Sequence, residues 1–368
     1  KRGGTLGVGA LLGSSLVRSA WSASKERVIV LLGVGLDSLH PYGYSGGGIS
    51  GIWQHMIEPL VEMDFSRKEY VGALADSWEF QGRKWVFHLK KGIRFHNGSV
   101  LTSKDVVFSF NRMKTDKRSL QAADIADLEV DAPDDYTVVM TTKNPNALFL
   151  DRLDTRFVMS KAAAEKYDDQ VDNNPIGTGP YKFVSWQRDG NLVMVRNDDY
   201  WGAKPEIKEV VFRTVKEEAA RVAGLLAGQG DAISNLSIES IEQVEKHPRT
   251  RVEKVPGFRM YFLAMNVMLN PFDNKLVRQA VNYSVDPHAI MKHVFDGNGD
   301  VLNGALNSNM IGYDPNIKRY PYDPKKAREL LTKAGFPNGV EVKLHFAPDR
   351  HLKGREVCQV LANQLATG

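Results

Sequence analysis

The chain has one cysteine, Cys358, among 368 residues. A single thiol excludes an internal disulfide, and its distance from any lipoprotein cleavage position favours a soluble exported protein over a lipid-tethered one. No Cys/His spacing resembles a zinc site. His88, His96, His288 and His293 show no H-E-x-x-H arrangement, so they read as structural or surface histidines, and neither metal nor cofactor is expected. Charge of one sign is scarce as well: 48 basic residues against 44 acidic ones leave +4. Lys1, Arg2 and Arg18 supply three of those charges, and the near-neutral remainder offers no case for nucleic acid. Internal repeats and low-complexity tracts are lacking. The Gly-rich apolar run from Leu6 to Val17 is too short to span a bilayer.

That run has a different reading. Lys1-Arg2 precedes it, and Ser19-Ala20 and Ser22-Ala23 follow as small residues of the kind signal peptidase accepts. Residues 1–23 are therefore expected to be an export-signal remnant, placing the protein in the periplasm. The composition, 42% hydrophobic and 25% charged, is that of an ordinary globular protein. At this length two or three lobes are expected rather than one core.

The periodicities are mixed α/β. Val28 to Val34 is a continuous apolar strand suited to a buried sheet position. A loop from Asp37 to Gly48 leads to an amphipathic helix around Ile49 to Ile57. Strands at Trp85–Leu89 and Thr137–Met140 flank a helix opened by Thr102 or Ser103. Glu217 to Leu226 reads as a helix ended by Gly228 or Gly230. Asp286-Pro287 and Asp323-Pro324 each put an N-cap Asp before a Pro at the first helical position. Leu276, Val277, Ala280, Val281 and Ser284 share one helical face.

The most informative stretch is Asn174-Pro-Ile-Gly-Thr-Gly-Pro-Tyr-Lys-Phe-Val-Ser-Trp186, followed by Asn197-Asp-Asp-Tyr-Trp-Gly202. It reads as a rigid Pro/Gly turn, then a strand, an Asp189-Gly190 turn and a returning strand, Leu192 to Val195. No catalytic group is needed to explain it. As a pattern it resembles the signature of the family 5 extracytoplasmic solute-binding proteins of ABC transporters, the peptide/nickel group. Further blocks agree in order: Gly72-Ala-Leu-Ala-Asp-Ser-Trp-Glu79, Trp85 to Gly98, Leu101 to Phe110, Asn274 to Asp286 and Tyr322 to Leu331. Together they span most of residues 27–367.

The resemblance implies an α/β, bilobal periplasmic-binding-protein type II fold with an extra inserted subdomain. Residues 24–43 and 176–256 would form the first lobe and 44–175 its insertion. The second lobe would run from 257 to 368, with its first strand at 259–266. Chains of the family run on past this point, so that lobe is expected to be truncated at the C-terminus, without the returning hinge strand. The implied protein is a monomeric, non-enzymatic component that captures a small molecule or short peptide and delivers it to a membrane permease. Peptides of a few residues lead. Opines, nickel chelates, glutathione and oligosaccharides are bound by relatives.

The ligand contacts implied by the resemblance begin with the loop Tyr44, Ser45, Gly46, Gly47 and Gly48. Successive glycines let the main chain approach an extended ligand and pair with it as an added strand. Arg259 and Tyr261 stand where the second lobe enters the cleft. Arg350 falls near a position that can hold a ligand carboxylate, for which Arg is a bidentate donor. One rival reading is enzymatic: Gly43-Tyr-Ser-Gly-Gly47 satisfies G-x-S-x-G, which would make Ser45 the nucleophile of a secreted serine hydrolase. The nucleophile elbow needs a tight strand-to-helix turn, whereas eight residues separate Leu36 from Ser45, and no oxyanion segment accompanies it.

Overall fold

The strand Arg27–Leu32 (β1) organises the first half of the molecule, because parallel partners flank it on both sides: Glu209–Thr214 (β10) and Ala232–Ile233 (β11). The structure is a computed structural model describing residues 26–36, 38–43, 51–146, 148–167, 173–255, 257, 259–346 and 352–367. The expected export segment 1–23, the loop residues Tyr44 to Gly48 and Arg350 lie outside the described residues. Two compact units emerge: residues 1–64 with 69–235, and residues 65–68 with 236–368.

In the first unit, Tyr181–Trp186 (β8) and Asn191–Arg196 (β9) form a hairpin that pairs antiparallel onto β10. The resulting five-stranded mixed sheet has the order β11-β1-β10-β9-β8. Parallel strands require a crossover, and the helix Glu218–Leu226 (α3) supplies it between β10 and β11. Glu217, the predicted first residue, is its N-cap, and Gly228, one of the two predicted terminators, follows it at φ +74°. The strand β1 ends at Leu32, two residues short of the predicted Val34, and only Leu31 in it is fully buried. One face of this sheet is covered by residues 52–57. Ile52, Trp53, Met56 and Ile57 pack with Tyr181, Leu192, Met194, Val210 and Phe212. Residues 51–53 are helical, but the chain then turns, so the predicted helix does not reach Ile57.

A separate antiparallel sheet arises from the intervening sequence, in the order β4-β5-β7-β6. Its strands are Ala75–Gln81 (β4), Lys84–Leu89 (β5), Glu129–Asp134 (β6) and Thr137–Thr141 (β7). In β5 the period of two is plain: Trp85, Phe87 and Leu89 are buried and their neighbours are not. They pack under the helix Ser103–Thr115 (α1), which contributes Val106, Phe110 and Met113. Thr102 is its N-cap, with Asp105 Oδ2 accepting from the Thr102 N–H at 2.9 Å. Two short strands, Val61–Asp64 (β2) and Glu69–Gly72 (β3), pair as a ribbon, and Lys161–Tyr167 (α2) completes the helices of this part.

The second unit is helical among its described residues. Ile238–Lys246 (α4), Lys275–Ser284 (α5), Pro287–Val294 (α6), Pro324–Lys333 (α7) and Gly354–Thr367 (α8) build it. Asp286 and Asp323 cap α6 and α7 as predicted, accepting from Ala289 N at 3.0 Å and Lys326 N at 2.9 Å. Val277, Ala280 and Ser284 are the buried face of α5. This compact unit includes α4, whose Ile238 packs with Ile290, Phe295 and Val357. The predicted strand at 259–266 does not form: the segment pairs with no strand among the described residues, and an extended segment is held only by a ladder partner.

Candidate ligand-binding site

The predicted ligand loop leaves the described chain at Gly43 and re-enters it at Gly51, so its two flanks can be read directly. On the entering side, Tyr42 is wholly buried, and its hydroxyl donates to Phe157 O at 3.1 Å. The Tyr42 N–H donates to His40 Nδ1 at 3.1 Å, which puts the His40 proton on Nε2, 2.9 Å from Asp116 Oδ2. The Arg118 guanidinium, with His40 assisting, holds the Asp116 carboxyl well below the usual carboxylate range. A side-chain chain of hydrogen bonds thus fixes residues 40–42 to the C-cap of α1.

The returning side is held by the signature stretch itself. Gly179 N donates to Met56 O at 3.0 Å and Tyr181 N to His55 O at 2.9 Å. Glu58, a buried carboxylate, accepts from Thr178 Oγ1 at 2.7 Å, Tyr200 Oη at 2.7 Å and Trp201 Nε1 at 2.9 Å. Burial pushes its carboxyl above the ordinary value, and the three donors pull back against that. The Lys90 ammonium lies 4.5 Å from the Trp201 ring centroid and donates to Gly72 O and Ala73 O. Thr178, Tyr200 and Trp201, far apart in the sequence from Glu58, therefore converge on one acceptor.

His96 clamps the same segment from its other side. Its backbone N–H donates to Gly177 O at 2.8 Å, Nδ1 accepts from Gly177 N at 3.4 Å, and Nε2 donates to Gly179 O at 3.0 Å. Both ring nitrogens are thus committed in the neutral form. Burial pushes its pKa down to about 4, with the charge of Lys182 adding to the shift. The reading of His96 as structural holds.

Of the predicted site residues, Arg259 and Tyr261 are described. Arg259 is exposed. The Tyr261 ring packs edge-on against Phe295 with centroids 5.5 Å apart, and its hydroxyl donates to Leu352 O. Sequence reasoning missed Glu58, His40 and Asp116. Glu58 had a signal: it is a lone carboxylate in the apolar run Met56-Ile57-Glu58-Pro59-Leu60-Val61, where a charge needs buried partners. The His40–Asp116 pair had none, since its members lie 76 residues apart. Among the described residues no group of His, Cys, Asp and Glu could hold a metal ion, and no helix is long and apolar enough to cross a membrane.

The first unit thus carries a mixed five-stranded sheet and an antiparallel four-stranded sheet, with the signature stretch hydrogen-bonded to residues 55–58. The chain belongs to the bacterial extracellular solute-binding proteins, family 5, whose model matches residues 69–367. It is 30% identical over 366 residues to the glutathione-binding protein GsiB of Pectobacterium atrosepticum, covering 98% of this chain and 70% of the relative. Identity to heme-binding protein A of Haemophilus influenzae is 32% over 343 residues, covering 84% of this chain and 62% of the relative. Among solved structures, the ABC transporter-associated periplasmic binding protein DppA from Helicobacter pylori, in complex with peptide STSA, superposes with a TM-score of 0.78. That match has 29% identity and covers 92% of this chain and 72% of the other. The chain thus spans 62–72% of the length of these relatives.

Proposed function

We propose that this protein is the substrate-binding component of an ABC importer, capturing a peptide-like solute outside the cytoplasm and delivering it to a membrane permease. It works as a monomer and catalyses no reaction. The family match over residues 69–367 carries this reading. Two of the ligands named for its relatives, glutathione and the peptide STSA, are peptides. Main-chain pairing along Gly46–Gly48 would bind such ligands whatever their side chains. Anchors on both flanks of that segment, at Tyr42 and at Met56, suit a loop whose backbone must be held in one place.

Calorimetry and thermal-shift measurements with trialanine, glutathione, heme and a nickel–histidine chelate test the assignment. Saturable binding of the two peptides is expected; a shift in melting temperature with heme or the chelate alone overturns it. Gly47→Val should weaken peptide binding by about tenfold or more, ~1.4 kcal/mol, because a branched Cβ blocks close approach of the main chains. Arg259→Ala should matter for anionic ligands alone, through loss of a charge-assisted hydrogen bond. Equal effects of Arg259→Ala on neutral and anionic peptides would remove Arg259 from the site.

A further inference from the structure

Two stripes of α1 meet apolar neighbours. Val106, Phe110 and Met113 enter the core, while Lys104, Val107, Phe108 and Asn111, spaced i, i+3, i+4 and i+7, form a second stripe beside them. Val130 and Ala132 of β6, both half-buried, lie opposite that second stripe, and a groove of about 370 Å³ opens between the two elements. This is the lower end of the ~300–1,000 Å³ that small-molecule sites offer. The strand β6 is an edge of its sheet, and its ladder to β7 is interrupted between Asp131 and Asp134, where Pro133 has no N–H to offer. An irregular edge with a proline is closed to an added peptide strand. The groove therefore suits a small molecule.

Its two ends differ in charge. The Ser103 N–H donates to Asp135 O at 2.9 Å and the Lys114 ammonium donates to Leu128 O, so β6 runs antiparallel to α1. Asp131 and Asn111, which both line the groove, therefore lie toward the C-terminal half of α1. Lys104 lies at the opposite end, joined there by Lys161, whose backbone N–H donates to Asp105 Oδ1 at 2.9 Å. The helix dipole adds positive potential at that end. Asp105 caps the helix there, with its oxygens accepting from the Thr102 and Lys161 N–H groups, and it does not line the groove. The two ammoniums pair with Asp135 at 3.0 Å and Glu165 at 3.4 Å, exposed ion pairs that contribute little and give way to a bound anion. We propose that this groove binds a small amphipathic carboxylate, its head on Lys104 and Lys161 and its aryl or short acyl tail over Val107, Phe108, Val130 and Ala132. Asp131 repels the head from the far end and so fixes the orientation. The site shares no residue with the signature stretch and fills independently of a transported peptide.

Phenylpropionate and phenethylamine carry the same ring and opposite charges, and they make the test. Each is titrated into the full chain with trialanine in excess, followed by calorimetry and by backbone amide chemical shifts. Saturable binding is expected for phenylpropionate and not for the amine, with shifts confined to residues 104–111, 130–132 and 161. Replacing both lysines, Lys104→Gln with Lys161→Gln, should weaken that binding by about fivefold or more. Val107→Glu, which sets a carboxylate on the apolar floor, should abolish it. Should Val107→Glu fail to fold, the lysine variant decides, since both its positions are at the surface. Absence of saturable binding, equal binding of the amine, shifts centred away from α1 and β6, or undiminished affinity in the lysine variant each overturns the proposal. A chain that takes phenylpropionate but no trialanine would count against the peptide reading and leave the groove standing.

Discussion

Gly177→Ala is expected to cost the first unit a large part of its stability through one added methyl group. A Cβ at Gly177 would lie 2.2 Å from Met56 O, 2.7 Å from Ile57 Cα and 2.8 Å from Ile57 Cγ1. Two of those three atoms are backbone, so no rotamer change relieves the overlap. The chains must separate, and separation breaks the Gly179 N–Met56 O and Tyr181 N–His55 O bonds and draws Thr178 from Glu58. Overpacking alone costs about 1–3 kcal/mol. Loss of buried hydrogen bonds adds about 1 kcal/mol or more for each, so the total reaches a sizeable share of the ~5–15 kcal/mol that a domain possesses. Gly51→Ala is the control: a Cβ there meets nothing within 4 Å, in a helical stretch where alanine is preferred. Denaturant melts of the two variants should differ by several kcal/mol, with Gly51→Ala close to wild type or above it. Equal midpoints would mean that the signature glycines serve some purpose other than close backbone approach.

Acidification should destabilise the same turn through His96. The folded state holds this ring neutral, with its pKa near 4 against an ordinary 6.5. Above pH 6.5 both folded and unfolded chains carry it uncharged, and its contribution to stability is complete. Between pH 6.5 and 4 the unfolded chain takes up a proton that the folded chain refuses, so stability falls with falling pH. The shift corresponds to about 3 kcal/mol when the loss is complete. Protonation would set an N–H at Nδ1 against the Gly177 N–H, which is the structural form of the same penalty. His55, half-buried, is shifted down by its burial and acts in the same direction, whereas the raised carboxyls of Glu58 and Glu62 favour the folded state as pH falls. The test is therefore a difference: urea midpoints of wild type and His96→Gln from pH 7.5 to 4. The wild-type curve should fall more steeply by ~3 kcal/mol over that range; parallel curves would show that His96 does not carry the penalty.

Local chemistry was legible where one residue type decides the outcome. Asp before Pro starts a helix because the carboxylate accepts a free N–H and Pro lacks one, and α6 and α7 begin at Asp286 and Asp323 for that reason alone. Alternation in Trp85–Leu89 and the Asp189-Gly190 turn in the β8–β9 hairpin are of the same kind, and the ordered motif blocks sufficed to name the family. Tertiary structure decided the rest. Whether residues 259–266 become a strand depends on a neighbour to pair with, and propensity cannot supply one. The end of the helix at residue 53 follows from Met56 and Ile57 being drawn onto the sheet, not from their own preferences. Most of all, the signature stretch announced its family without revealing what it holds in place. Gly177 and Gly179 are glycines because Met56 and His55 stand against them, and Thr178, Tyr200 and Trp201 point at Glu58 more than 100 residues away. A sequence states which residues need company; only the fold, by bringing distant chain segments within hydrogen-bond reach, determines who provides it.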